Sequence, residues 1–337
     1  MPEMTADQIY LPAAPPIDGL LFRLFRAEAD YAAMADLRNA STAADAVEEF
    51  VTVEWARAFL APSADFDPYH DMLFAEIAGQ PVAYARVWMR PNADGKQVYA
   101  HVGAVAPAWR RKGLGRALLH WIQDRSRARA ASQPDAEPRV LRSWADDSAV
   151  GTIALLKEDG YQATRYGFEM SRSLAEPIPD LPLPAGLEVR PVAPAQYRQV
   201  YAALDEAFHD IPGHAKWTED DYQRWLKDPA FQPPLWQVAW AGGEVAGMVL
   251  NFIDQAYNTE FKSLRGWTDP IGVRQPWRKQ GVASGLIARS LRLLQEQGMT
   301  EARLGVDTQN PNGALRLYES LGYRRVTGST TYEKTMD

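Results

Sequence analysis

The chain has 337 residues, room for about two domains at roughly 150 residues each. Its 46% hydrophobic and 23% charged residues exclude wholesale disorder and a collagen-like chain, and the lack of cysteine excludes disulfides, zinc–thiolate sites and a cysteine nucleophile. A net charge of −7 disfavours nucleic acid, no apolar run approaches the roughly 18–20 residues of a membrane helix, and residues 1–16 lack the basic start and apolar core of a signal peptide, so a cytoplasmic protein is expected.

A strand is predicted near Leu20–Arg23, leading into helical segments. Ala78-Gly79-Gln80 marks a hairpin turn, and a third strand ends at Val105. A glycine loop follows and opens a helix whose Leu114, Ala117, Leu118, Trp121 and Ile122 share one face. Glu176 to Gly186 carries Pro177, Pro179, Pro182 and Pro184 and reads as an extended, semi-rigid linker. The order then begins again. A strand at Leu187–Arg190 precedes a turn at Ala241-Gly242-Gly243 and a strand ending at Val273. The next helix presents Ala283, Leu286, Ile287, Ser290 and Leu294, with Gly298 fitting its C-terminal cap. Leu304 to Val306 reads as a strand, and Asn310-Pro311 as an N-cap with proline at the first helical position. Ala314, Leu317, Tyr318 and Leu321 form the last helical stripe, Gly322 ends it, and a strand resumes at Tyr323.

The most informative feature is internal repetition. The stretch from Val105 to Gly115 aligns without gaps with Val273 to Ala283, 168 positions on, pairing Trp109 with Trp277, Arg110 with Arg278 and Gly113 with Gly281. Gly19-Leu20 resembles Gly186-Leu187, and Gly160-Tyr161 resembles Gly322-Tyr323. A period this long is a duplicated domain, not a solenoid. The expected organisation is an N-terminal domain over 1–176, a proline-rich linker over 177–186 and a C-terminal domain over 187–337.

A strand, then Arg-x-x-Gly-x-Gly/Ala, then a helix, gathers free amides at a helix N-terminus. Those amides and the helix dipole favour an anion, typically phosphate, and glycines let the backbone approach it. A helix start with solvated basic residues is the plain alternative, and one copy alone would be weak evidence. Two copies at matching places argue for the anion. The Gly-x-Gly-x-x-Gly fingerprint of dinucleotide folds and the Gly-x-x-x-x-Gly-Lys-Ser/Thr loop are both absent.

On Arg110-Arg-Lys-Gly-Leu-Gly115, Arg278-Lys-Gln-Gly-Val-Ala283 and Ala314-Leu-Arg-Leu-Tyr-Glu-Ser-Leu-Gly-Tyr323, the sequence resembles the GCN5-related N-acetyltransferase (GNAT) superfamily, in tandem. The resemblance covers nearly all of both halves. It implies an α/β fold of two tandem domains, each a splayed mixed β-sheet flanked by helices, with acetyl-CoA in the split as cosubstrate and no metal. The pyrophosphate would lie on Arg278, Lys279, Gln280, Gly281, Val282 and Ala283, and the pantetheine arm along Ile271, Gly272 and Val273. Ala104, Val105, Arg110, Arg111, Lys112, Gly113, Leu114 and Gly115 are the first half's counterparts. The family's asparagine seven before its tyrosine is displaced here: Asn310 is eight before and Asn312 six, and either would cap the helix or touch the cofactor. Pro276 is likewise one place later than the family's proline, which Pro107 matches.

The reaction the resemblance implies is direct attack of an amine on the thioester, which needs a deprotonated amine and a stabilised leaving thiolate. The resemblance makes Tyr318 the acid, against a plain core tyrosine on its stripe; Leu156 stands at that place in the first half. Asp269, four before Val273, is the base candidate, with Glu260 upstream; a strand-end aspartate is more often a turn residue, and a loop glutamate more often solvated. His101, four before Val105, is equally a strand histidine, and a water chain would replace any single base. His209 and His214 fall where helices cover the acceptor in the family, with a polar loop as the plainer reading. The expected function is an acetyl-CoA-dependent N-acetyltransferase for a small-molecule amine, active in the C-terminal half, as monomer or homodimer. Against it stand a non-catalytic CoA-binding module and aminoacyl transfer from tRNA on a related fold, which the acidic balance opposes.

Overall fold

The computed structural model describes residues 8–91, 95–132, 138–211 and 214–336. Residues 1–7 of the N-terminal stretch, and Pro212 and Gly213 between the two loop histidines, lie outside the described residues. In chain order the elements of the first repeat are β1 (Gln8–Ile9), β2 (Leu20–Leu24), α1 (Ala29–Ala44), α2 (Val53–Phe59), α3 (Pro68–Asp71), β3 (Met72–Ile77), β4 (Gln80–Pro91), β5 (Gln97–Val105), α4 (Leu114–Ala131), β6 (Arg139–Asp146), α5 (Val150–Glu158) and β7 (Gln162–Ser173). The second repeat has β8 (Glu188–Val189), α6 (Tyr197–Phe208), α7 (Glu219–Trp225), β9 (Gln237–Ala241), β10 (Glu244–Val249), α8 (Gln255–Glu260), β11 (Arg265–Trp267), β12 (Ile271–Val273), α9 (Val282–Glu296), β13 (Glu301–Asp307), α10 (Ala314–Ser320) and β14 (Arg324–Thr335). Among the described residues no helix is long and apolar enough to cross a membrane.

The chain forms two compact units, and they do not follow the sequence repeats. One contains Met1–Thr164 and Ser329–Asp337; the other contains Arg165–Gly328. The division expected at the proline stretch therefore differs at two segments. Residues 167–173 of β7 pair antiparallel with β13 and so belong to the second unit. Residues 329–335 of β14 pair antiparallel with β6 and belong to the first. Each unit's sheet is completed by the last strand of the other repeat. Repetition in sequence records which residues were copied, whereas a unit is set by which strands pair.

In the first unit β1 to β4 run antiparallel, β5 joins β4 along its full length, and β6 lies parallel to β5. The β5–β6 pairing stops early: Gln97 to Ala100 face Arg139 to Arg142, and among the described residues His101 to Val105 pair with β4 alone. The sheet splits at His101. Ala83, Ala85 and Val87 pack with α4 and α5, while Tyr84 packs against the α1–α2 side, as strand alternation requires. The predicted stripe of α4 is buried throughout.

The second unit carries the split further. Arg265 to Val273, the counterpart of β5, is two strands: β11 pairs parallel with β13, and β12 pairs antiparallel with β10. Thr268, Asp269 and Pro270 lie between them, and Pro270 has no N–H to give a ladder. Leu286, Ile287, Leu291 and Leu294 of α9 fill the core beneath. The proline stretch is not a free spacer. Ile178, Leu181 and Leu183 pack on this core, and Arg292 donates to the Pro179 carbonyl at 2.9 Å. A Cβ on Gly285 would stand 3.1 Å from Leu183, so α9 uses glycine where the strap crosses it. In the first unit Pro15 takes a similar place, 3.1 Å from where a Cβ on Gly113 would be.

Candidate active site

Each glycine loop has the same backbone. A 3₁₀ turn, Pro107–Trp109 or Gln275–Trp277, leads into a left-handed residue, Arg111 at φ 61° or Lys279 at φ 57°. Two residues later Gly113 (φ 92°) or Gly281 (φ 87°) is left-handed again and caps the helix. A left-handed non-glycine costs roughly 1–2 kcal/mol, so its recurrence 168 positions apart marks a conformation the fold enforces twice. The first helical bonds run from Ala117 N–H to Gly113 and from Gly285 N–H to Gly281. The amides just before them have no helical carbonyl to reach and point outward at the positive end of the dipole. This is an anion nest.

The leading arginine of each loop has another task. Arg110 donates to the Val105 carbonyl at 3.3 Å, to Asp45 at 2.7 and 2.9 Å, and to the Ser41 carbonyl at 2.9 Å. Arg278 repeats the pattern with the Val273 carbonyl at 3.0 Å, the Ala207 carbonyl at 3.1 Å and the Asp210 carboxylate. Both guanidinium groups tie the loop to the end of the preceding strand and to the C-terminal end of α1 or α6. Of the other loop residues, Lys112 sits over the Trp109 ring at 4.3 Å, and Gln280 bonds back to the Pro276 carbonyl at 2.9 Å. Leu114 and Val282 are core residues, each 1% exposed. Lys279, Gly281 and half-buried Ala283 leave the loop face open. What remains for an anion is chiefly backbone.

In the first unit the nest borders a cleft of about 380 Å³. Ala104, Val105, Arg110, Arg111, Gly113 and Gly115 line it, together with His101, Ser143 and Leu156. In the second unit Ile271, Gly272 and Val273 form β12, the edge of a four-stranded sheet. Among the described residues its backbone groups have no strand partner beyond β10, so this edge can receive an extended ligand. Gly272 is packed closely: a Cβ there would lie 2.9 Å from Met248 Sδ.

The fork of the second unit brings Asp269 and Tyr318 together. Asp269 is half-buried and accepts from Gly305 N–H at 3.4 Å. Burial pushes its carboxyl up to about 6, with the Gly305 bond opposing. Tyr318 is buried on α10; burial first, then the Asp269 and Tyr323 charges, push its hydroxyl well above the usual tyrosine value. Tyr323 and Thr268 join them, hydroxyl to hydroxyl at 2.6 Å. Sequence reasoning passed over Thr268 and took Tyr323 as a repeat and motif position at a strand start, with no role in the site. The signal was present in the repeated Gly-Tyr, because Tyr161 does the same in the first unit, its hydroxyl 2.9 Å from His101 Nε2. Burial pushes His101 down to about 3, so it is neutral at pH 7. Leu156, 2% exposed, lines the first cleft where the second unit has Tyr318.

Four candidates lie elsewhere. Glu260 is exposed at the end of α8, with no described bond to Asp269 or Tyr318. Asn310 does not cap α10: its Oδ1 accepts from Asn312 N–H at 2.9 Å, closing a turn, and the helix begins at Ala314 behind left-handed Gly313. Asn312, not Asn310, reaches the loop, accepting from Arg278 at 3.4 Å. His214 pairs with Asp205 at 2.7 Å and braces α6, and His209 is exposed at that helix's end.

Comparison with known proteins agrees with this geometry. The acetyltransferase (GNAT) family model matches residues 33–136 and again 197–323. The mycothiol acetyltransferase of Salinispora tropica is 30% identical over 269 residues, 79% of this chain and 82% of its own. That of Geodermatophilus obscurus is 28% identical over 307 residues, 88% and 92% of the two chains. A GCN5-related N-acetyltransferase from Sphaerobacter thermophilus superposes with a TM-score of 0.73 at 25% identity, over 95% of this chain and 96% of that one. A tandem GNAT protein from the clavulanic acid biosynthesis pathway has a TM-score of 0.68 at 16% identity, over 94% and 99%. With two family matches, two nests and two forks in one chain, this protein belongs to the GNAT family of N-acetyltransferases, as a tandem member.

Proposed function

We propose that the chain transfers the acetyl group of acetyl-CoA to a small-molecule amine, and that the chemistry takes place in the second unit. The observation that carries the assignment is the buried Tyr318 beside the Asp269 fork, against Leu156 in the first unit. The Gly281 nest would hold the pyrophosphate and the β12 edge the pantetheine arm. The amine nitrogen bonds to the thioester carbon, and the carbon–sulfur bond breaks. As the nitrogen attacks, its proton becomes acidic, and Asp269, ionised at pH 7 with a value of about 6, accepts it. Tyr318 stays protonated throughout the physiological range. Full transfer to a thiolate, near 8.5 when free, is uphill, so its hydroxyl stabilises the developing sulfur charge by donating a hydrogen bond.

The first unit keeps the nest and the cleft without the tyrosine, and we assign it acetyl-CoA binding without turnover. The relatives named mycothiol acetyltransferase support a small amine as acceptor. The test measures thiol release from acetyl-CoA across a library of primary amines, alongside thermal stability. Saturation at about 100 times the dissociation constant adds about 2.7 kcal/mol per site. Thermal stabilisation with amine-dependent thiol release is expected. No stabilisation at millimolar acetyl-CoA sinks the reading, and stabilisation without turnover on any amine leaves a binding module.

A further inference from the structure

The first unit buries a cation that forms no ion pair among the described residues. Ala85 and Ser143 line its cleft. Their neighbours Arg86 and Trp144 therefore project from the opposite face of the sheet. Arg86 is only 9% exposed. Its guanidinium carbon lies 5.2 Å from the Phe59 ring centre and 4.4 Å from that of Trp88. Trp88 stacks on Trp144 at 5.9 Å, and Phe59 and Trp144 are 42% and 40% exposed. Among the described residues no carboxylate or carbonyl bonds to Arg86. Glu49, the acid it senses, is held by Arg38 in two bonds of 2.7 and 2.6 Å.

Buried arginines are normally paired, and Arg23 in the same unit follows the rule, bonding Asp30 and Glu76. Burial pushes Arg86 down to about 10, which leaves it charged at neutral pH. The fold does not need that charge. Ala83 faces Val105 as Gly247 faces Val273, so Arg86 corresponds to Leu250, an apolar core residue of the second unit. An uncompensated buried cation is a standing cost unless an anion comes to it. Exposed rings beside it offer a surface for stacking.

We propose that Arg86, with Phe59, Trp88 and Trp144, is a binding site for a small organic oxyanion, a carboxylate or phosphate on a planar body. The anion pairs with the guanidinium and the body lies on the exposed rings. None of these four residues lines the cleft beside the nest, so the site is taken as separate from acetyl-CoA. Isothermal titration of the full chain with phenyl phosphate, benzoate, inorganic phosphate and neutral benzyl alcohol tests it, each with and without saturating acetyl-CoA. The two aromatic anions should bind saturably with or without acetyl-CoA, and benzyl alcohol should not. Inorganic phosphate should bind at least about tenfold more weakly. Arg86→Met should lose at least about tenfold in affinity for both aromatic anions while its melting curve stays cooperative. Trp144→Ala, at an exposed ring, should weaken the aromatic anions selectively and serves if Arg86→Met does not fold. No binding at millimolar anion, displacement by acetyl-CoA, or unchanged affinity in both variants overturns the proposal.

Discussion

Tyr318 and Leu156 occupy matching places in the two repeats, and only Tyr318 carries a hydroxyl, the group the proposed reaction uses. Tyr318→Phe keeps the ring that packs beside Tyr323, so acetyl-CoA binding and the melting temperature should hold. Turnover should fall by about 10²–10³-fold, the usual cost of removing one hydrogen-bond donor to a developing anion. Unchanged turnover with a good acceptor would return Tyr318 to the core. Asp269 gives a prediction with a sign. Its carboxyl is raised from 3.8 to about 6 by burial, so the folded state holds the proton more tightly than the unfolded. Ionisation then costs stability. The penalty is absent below the unfolded value, grows between the two, and is complete above about pH 6. Two units correspond to about 2–3 kcal/mol at most. Asp269→Asn should therefore be more stable than the parent at pH 8, indistinguishable near pH 3, and less active throughout. Melting curves at the two pH values decide it; an advantage at low pH only would mean the carboxyl is not destabilised when charged.

At the scale of the element, the loops were readable and their supports were not. Backbone recognition of an anion needs glycine at fixed places before a helix, so Gly113 and Gly281 show in the sequence. The arginines do not reveal their task, because Arg110 finds Asp45 65 residues away and Arg278 finds Asp210 68 away. No spacing rule joins such pairs, and both arginines read as phosphate ligands until their partners were seen. Asn310 misled for a local reason. An asparagine before a proline suits an N-cap, yet a second turn intervenes and Gly313 takes the cap. The nests also separate the two units experimentally. Gly281→Glu sets a side chain at φ 87° and a carboxylate where an anion should bind. It should abolish most turnover, whereas Gly113→Glu should remove one acetyl-CoA equivalent and spare most of the chemistry. Equilibrium dialysis with labelled acetyl-CoA and steady-state rates check both. If Gly113→Glu proves the more damaging while folded, the active unit is the first, and His101 becomes the group to test.

For the whole molecule, the exchange of terminal strands governs what can be cut. The sequence showed two copies and a proline boundary, and a cut there would ordinarily release two domains. Pairing forbids it. A chain ending at residue 176 lacks residues 329–335, which pair with β6 along seven positions. A chain beginning at 187 lacks residues 167–173, which pair with β13 along seven more, and loses the strap of Ile178, Leu181 and Leu183 over its core. Each half would expose a sheet edge and the apolar side chains behind it, a template for aggregation. Expressed separately, 1–176 and 187–337 should be insoluble or lack a cooperative transition. Joining 1–164 through a flexible Gly/Ser linker to 329–337 restores every strand of the first unit, and that chain should melt cooperatively and bind acetyl-CoA without turning it over. Circular dichroism melts of the three chains provide the test. A stable, cooperative 1–176 would mean that β14 contributes little to the first unit and that the repeats, not the exchanged units, are what fold.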